Sequence, residues 1–222
     1  MTQPNRDPVQ PIPITRLAAP AEPADVFRIT VLCTGNRFRS PIAAAVIETL
    51  TEGLPIDVRS MGTKHVGSVG AMPEAIDAAA RLGIDVTGHV ARLATASDVA
   101  HADLVLGFEL SHLARARQLG APAEHAFTLP DLAAAVEELS YDSLPPAGPV
   151  ARARAIVARA HERRRAAGRP LREIRDPAST DAHRALQIAR DVHLHASTVV
   201  GYLFENAARP APGTGGGRGY PA

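Results

Sequence analysis

A short, apolar, β-branched run, FRITVL (Phe27–Leu32), passes straight into a glycine-containing turn and then into an alanine-rich stretch. That order recurs along the chain, and it restricts the fold more than any other feature. PIAAAVIETLTE, from Pro41, reads as a helix with proline in its favoured first turn. IDVRS (Ile56–Ser60) alternates like a second strand, and PEAIDAAARLG (Pro73–Gly83) is a helix with glycine past its end. DLVLGF (Asp103–Phe108) and HAFTL (His125–Leu129) read as two further strands. LSHLARARQLG (Leu110–Gly120) and PDLAAAVEEL read as the helices that follow them. An arginine-rich helix spans roughly Val150–Ala167. A last one, in Asp181–Ala207, aligns Ala185, Ile188, Ala189, Val192, Ala196, Val199 and Leu203 on one stripe, with Gly201 a mild blemish. Strands alternating with helices imply a parallel sheet covered on both faces. The expected architecture is therefore α/β: a three-layer sandwich around a central four-stranded parallel sheet. Such sheets bind ligands at the carboxyl ends of their strands, which is where Cys33 falls.

A chain of 222 residues, 45% hydrophobic with a net charge of +1, is long enough for one domain with a sizeable core. Residues 1–25 are proline-rich and residues 208–222 glycine- and proline-rich; both are expected to be disordered extensions of a domain over 26–207. SYDSLPPAGP (Ser140–Pro149) is a loop. The single cysteine allows no internal disulfide and no zinc-site spacing, so a reducing, cytoplasmic setting is expected. No apolar run reaches membrane-spanning length, and the N-terminus lacks a signal-peptide core. None of the nine histidines falls in a metal-binding pattern, so neither metal nor cofactor is expected. The arginine run from Arg152 to Arg175 could dock an acidic partner, a membrane surface or nucleic acid, or border a site. The reading adopted is a solvated helix face, with no nucleic acid partner and no membrane insertion. Oligomeric state is not legible.

The lone thiol sits in CTGNRFRSP. Between a strand and a helix, the N–H groups of Thr34 to Ser40 can converge on an anion at the helix N-terminus. Gly35 permits a tight turn or left-handed backbone. Arg39 can hold two phosphate oxygens at once. The same dipole and amides, with the Ser40 hydroxyl, favour a thiolate at Cys33. A nucleophile at the bottom of a phosphate cradle fits covalent phosphoryl transfer, with amides and Arg39 supplying charge stabilisation. The leaving oxygen needs a proton, and Asp176, in IRDPAST, is the candidate donor.

This constellation resembles the low-molecular-weight protein tyrosine phosphatases, over roughly Phe27 to Phe204. Their Cys-x5-Arg-Ser loop is filled by Cys33, Arg39 and Ser40, with Thr34, Gly35, Asn36, Arg37 and Phe38 completing the phosphate cradle. Their late Asp-Pro pair, which carries the general acid, is matched by Asp176-Pro177. SMGT (Ser60–Thr63) and GHVAR (Gly88–Arg92) look like two further family segments, in which Ser60 and His89 would join Asn36 in a loop-shaping network. Glu109 falls where the family's third strand ends in an acidic residue. The resemblance implies a phosphoprotein substrate, attack by Cys33, and acid then base catalysis by Asp176.

Three departures stand out. Phe38 replaces the second cysteine of most members. Arg37 replaces isoleucine or threonine; it either lines the entrance, favouring acidic substrates, or points into solvent or pairs with an acid, which is the expectation adopted. Ala178 and Ser179, and the segment Thr63–Gly70, lack the aromatic wall of tyrosine-directed members. Protein-tyrosine phosphatase is the main reading. The alternatives are a protein-arginine phosphatase, an arsenate reductase-like enzyme, for which two relay cysteines are missing, and a catalytically decayed phosphate- or phosphoprotein-binding module.

Overall fold

The computed structural model describes residues 25–140, 148–168, 170–176 and 181–205. Expectations for 1–24, most of the Ser140–Pro149 loop, Pro177–Ser179 and the C-terminal tail lie outside the described residues.

Four parallel strands form one sheet in the order β2-β1-β3-β4. They are β1 (Phe27–Cys33), β2 (Ile56–Gly62), β3 (Leu104–Gly107) and β4 (Ala126–Thr128). The expected three-layer α/β sandwich is what forms. Alternation along β1 explains it: Phe27, Ile29, Val31 and Cys33 join the larger apolar cluster, whereas Leu32 joins the smaller one on the other face. The larger layer is built by α1 (Arg39–Leu50), α2 (Pro73–Ala80), α5 (Leu129–Glu137), α6 (Pro149–Ala167) and α7 (Ala182–Val200). The other face carries α3 (Ala96–Ala100) and α4 (Leu110–Gln118), through Val99, Leu113 and Ala116.

Three local differences from the sequence reading have physical causes. Helix α1 starts at Arg39, two residues before Pro41, so Arg39 and Ser40 belong to its first turn. The short helix α3 was not expected; five residues are too few for a period, and it is held by Thr95, whose hydroxyl donates to Asp98 at 2.6 Å. The last helix stays α-helical to Val200 and widens into a π turn from Gly201 to Glu205. That turn still buries Leu203, and it sets Phe204 edge-on to Phe27 with ring centres 5.7 Å apart.

The arginines of α6 lie along a helix that buries Val150, Ala153, Ile156, Val157 and Ala160. They bind neighbouring elements: Arg154 pairs with Asp25 and Asp103, and Arg163 with Glu138. The Arg164 guanidinium stacks 4.2 Å over the Phe127 ring.

The β1–β2 register runs from Phe27 opposite Ile56 to Cys33 opposite Gly62. It therefore places the end of β2 against the loop after β1. A Cβ on Gly62 would lie 3.1 Å from the carbonyl oxygens of Thr34 and Lys64 and 3.2 Å from the Gly35 carbonyl carbon. Those are backbone atoms that cannot swing aside. Gly62→Ala is expected to destabilise the protein by about 1–3 kcal/mol, read as a lowered urea midpoint at unchanged slope.

Candidate active site

Thr34 to Phe38 join β1 to α1. The left-handed residue in this turn is Asn36 (φ 53°), not Gly35, which corrects one of the two readings of that glycine. Asparagine tolerates this geometry because its short polar side chain can bond locally. Here the buried side chain donates from Nδ2 to Ser40 Oγ and to Ser60 Oγ, both at 3.0 Å. Its Oδ1 accepts the Arg92 N–H at 2.8 Å. Its carbonyl accepts from His89 Nε2 at 2.7 Å, so that nitrogen carries the ring proton. Burial pushes the His89 pKa down, the bond to Asn36 opposes this, and Arg92 adds to the depression. Helix α1, strand β2 and the segment 88–93 thus all pin one residue.

Ser40 passes the network on. Its hydroxyl donates to Cys33 Sγ at 3.0 Å, and the thiol is only 3% exposed. The Phe38 side chain turns into the core, so only its backbone is offered to the cradle. Arg37 neither pairs with an acid among the described residues nor points freely into solvent; its Nε donates to Gly70 O at 3.0 Å.

Arg39 is 1% exposed. Its Nη1 donates to Glu109 Oε1 at 2.5 Å and to Ile174 O at 2.7 Å. Its Nη2 reaches Asp176 Oδ2 at 2.9 Å and Thr34 Oγ1 at 3.3 Å. The Phe108 ring lies beneath, 5.5 Å from the guanidinium carbon. Burial pushes the Glu109 carboxyl up; the bond and charge of Arg39 outweigh it, and the net shift is downward.

Asp176 is delivered by an irregular segment laced to the sheet ends. Ile174 N–H donates to Phe108 O (2.8 Å), and Leu110 N–H to Glu173 Oε1 (2.7 Å). Thr128 Oγ1 donates to Arg172 O (2.8 Å), and Arg172 N–H to Asp131 Oδ1 (2.9 Å). Cys33, Arg39, Asp176, Ser40, Asn36, Ser60 and His89 are thereby brought into one connected site.

Sequence reasoning missed His112. It lies in the first turn of α4, 1% exposed. Its Nδ1 accepts the N–H groups of Phe108 and Glu109, each at 3.1 Å, and its Nε2 lies 3.1 Å from Thr34 Oγ1. The available signal was its place three residues after Glu109 at a helix start, the spacing of a capping pair. Among the described residues, no group of three or more His, Cys, Asp or Glu side chains could hold a metal ion. No described helix is long and apolar enough to cross a membrane.

Residues 28–142, just over half of the chain, match the family model for low molecular weight phosphotyrosine protein phosphatases. The chain belongs to this family. A low molecular weight protein-tyrosine-phosphatase, Etp of Escherichia coli K12, is 36% identical over 87 residues, covering 39% of this chain and 57% of that protein. The chain thus spans little more than half the length of that relative. A protein-arginine-phosphatase of Bacillus subtilis is 36% identical over 104 residues, covering 46% of this chain and 69% of that one. The fold of this phosphatase-family chain is also that of a YwlE mutant from Bacillus subtilis, with TM-score 0.59 and 23% identity over 80% of this chain and 98% of that structure.

The buried imidazole has a thermodynamic consequence. Burial, and then the Arg39 charge, push the His112 pKa down to about 4, against the pull of Glu109, Asp176 and Glu173. The folded protein therefore binds fewer protons than the unfolded chain between about pH 6.5 and 4. Stability falls as pH drops through that window, by up to about 3 kcal/mol from this group. His112→Asn is expected to flatten the difference between urea midpoints at pH 7 and pH 4.5; equal pH dependence in both proteins would count against it.

Proposed function

We propose that this chain is a phosphomonoesterase acting on protein phosphotyrosine through a cysteinyl-phosphate. The observation that carries the reading is the pairing of two contacts across one loop: Ser40 Oγ–H on Cys33 Sγ, and Asp176 on Arg39 Nη2.

The chemistry follows from these atoms. The Ser40 hydroxyl bond and the α1 N-terminus hold Cys33 Sγ at the base of the loop, where it can serve as the nucleophile. The loop amides and Arg39 gather the phosphoryl oxygens above it. Nη1 is committed to Glu109 and Ile174, which fixes the plane of the guanidinium. Arriving phosphate takes the place of Asp176 at Nη2 and frees that carboxyl for the leaving oxygen. Sulfur attacks phosphorus, the phosphorus–oxygen ester bond breaks, and protonated Asp176 gives its proton to the departing phenol. Water then attacks the phosphocysteine while the Asp176 carboxylate takes a proton from it. The sulfur–phosphorus bond breaks, returning thiolate and inorganic phosphate.

Two observations keep protein-arginine phosphatase as the second reading. The match to the arginine-directed relative runs over more of that protein than does the match to Etp. The neighbour of the loop at Gly35 is aliphatic as well: a Cβ there would sit 3.6 Å from Val66 Cγ1, while Phe27, Phe38, Phe108 and Phe127 are all buried. At that point, among the described residues, a phenyl ring meets a methyl group and not an aromatic face.

Hydrolysis of p-nitrophenyl phosphate with EDTA present is the test. Cys33→Ser is expected to abolish turnover. Asp176→Ala should lower kcat by about 10²–10⁴-fold and remove the acid-dependent limb of its pH profile. Full activity in Cys33→Ser, or no turnover by wild type, would defeat the reading. Matched phosphotyrosine and phosphoarginine peptides then decide between the two substrate classes through their kcat/KM ratio.

A further inference from the structure

Thr34 and His112 make a contact that the proposed reaction does not yet use. They are 78 positions apart and meet beside Arg39. The protons in this contact can be assigned from geometry. His112 Nδ1 faces two N–H donors, from Phe108 and Glu109. A nitrogen that accepts from both carries no proton of its own. The ring proton is therefore on Nε2, and the same two donors exclude the imidazolium. Nε2–H must donate to Thr34 Oγ1, because a hydroxyl donating the other way would need a bare Nε2. Thr34 Oγ1 also accepts from Arg39 Nη2. With one donor on each lone pair, the threonine's own proton can turn to neither neighbour. It is directed at an acceptor other than these two, next to the Nη2 that Asp176 occupies.

We propose that His112 is a positioning residue that fixes Thr34 Oγ–H as a side-chain donor to the phosphoryl group in the cradle, alongside Arg39 and the loop amides. The inference deepens the reading of the loop as a phosphate site and rests on it. Two donors pulling on one hydroxyl oxygen polarise its O–H bond and strengthen it as a donor. The arrangement also costs nothing to organise when phosphate arrives, because the buried ring is already clamped at the N-terminus of α4. His112 touches no substrate in this scheme; it acts only through Thr34.

The test is a double-mutant cycle read by two assays: calorimetric binding of inorganic phosphate, and kcat/KM for p-nitrophenyl phosphate. Thr34→Val removes the hydroxyl at constant shape. His112→Asn keeps an oxygen near the Nδ1 position for the two N–H groups and removes the donor to Thr34. Each is expected to weaken phosphate binding and lower kcat/KM by about tenfold or more. Thr34→Ser should restore most of the loss seen in Thr34→Val. The double variant should be no worse than Thr34→Val alone, because His112 has nothing left to position. If His112→Asn keeps its full effect in the Thr34→Val background, or leaves phosphate binding unchanged, the proposal is overturned. Should His112→Asn fail to fold, nitrogen NMR of the wild-type ring decides instead. A proton on Nε2 at neutral pH, with a shift on adding phosphate, supports the proposal, and a proton on Nδ1 defeats it. Wild-type turnover reports on the phosphatase reading separately, so the two can fail independently.

Discussion

The site depends on one fully enclosed cation. A guanidinium 1% exposed has lost its water and survives only if nearly every N–H finds a partner. Arg39 gathers those partners from distant parts of the chain: Thr34 from the loop, Glu109 from the start of α4, and Ile174 and Asp176 from the segment before α7. The need to neutralise this charge is what brings a general-acid candidate, 137 positions away in sequence, within 2.9 Å. Glu109 matters in the same way. It meets Nη1 and so leaves Nη2 to Asp176 and Thr34.

The loop is shaped from its outer side. Asn36 holds a left-handed backbone that side-chain-bearing residues rarely adopt, and it does so because three segments saturate its polar atoms. The β1–β2 register puts Gly62 opposite Cys33, so the missing side chain there lets the second strand close on the loop. Sheet register, glycine and asparagine together leave the thiol buried, with Ser40 as its hydrogen-bond donor.

Much of this was legible in the sequence because the relevant signals are local. The β-branched runs and alanine-rich runs differ in period, so the alternation of strand and helix could be read directly. Cys33, Arg39 and Ser40 lie within eight residues and flank one loop, so their spacing carries the chemistry. Asp176 was legible only through the order of motifs, since nothing in IRDPAST by itself says which cation it meets. Of His112, the sequence shows only a capping spacing after Glu109. Its contact with a hydroxyl 78 positions away leaves no pattern in composition or period. Arg37 illustrates the same limit: its partner is a backbone carbonyl, Gly70 O, and sequence cannot show which carbonyls a fold brings near.

Phe38 links the core to the chemistry of Cys33. Its ring is 4% exposed and belongs to the larger apolar cluster with Ile42, Val46 and Phe27, so it holds the first turn of α1 against the sheet. A second thiol at this position could trap an oxidised nucleophile as a disulfide. A phenyl ring cannot, and the chain has no other cysteine. A sulfenic acid at Cys33 therefore cannot be captured by a second cysteine of this chain, and a disulfide can form only with a thiol from outside. Cys33 is only 3% exposed, and burial of that degree hinders a bulky external thiol far more than a small oxidant. The packing that steadies the loop thus weighs against rescue from outside, with no second cysteine in the chain to supply it from within.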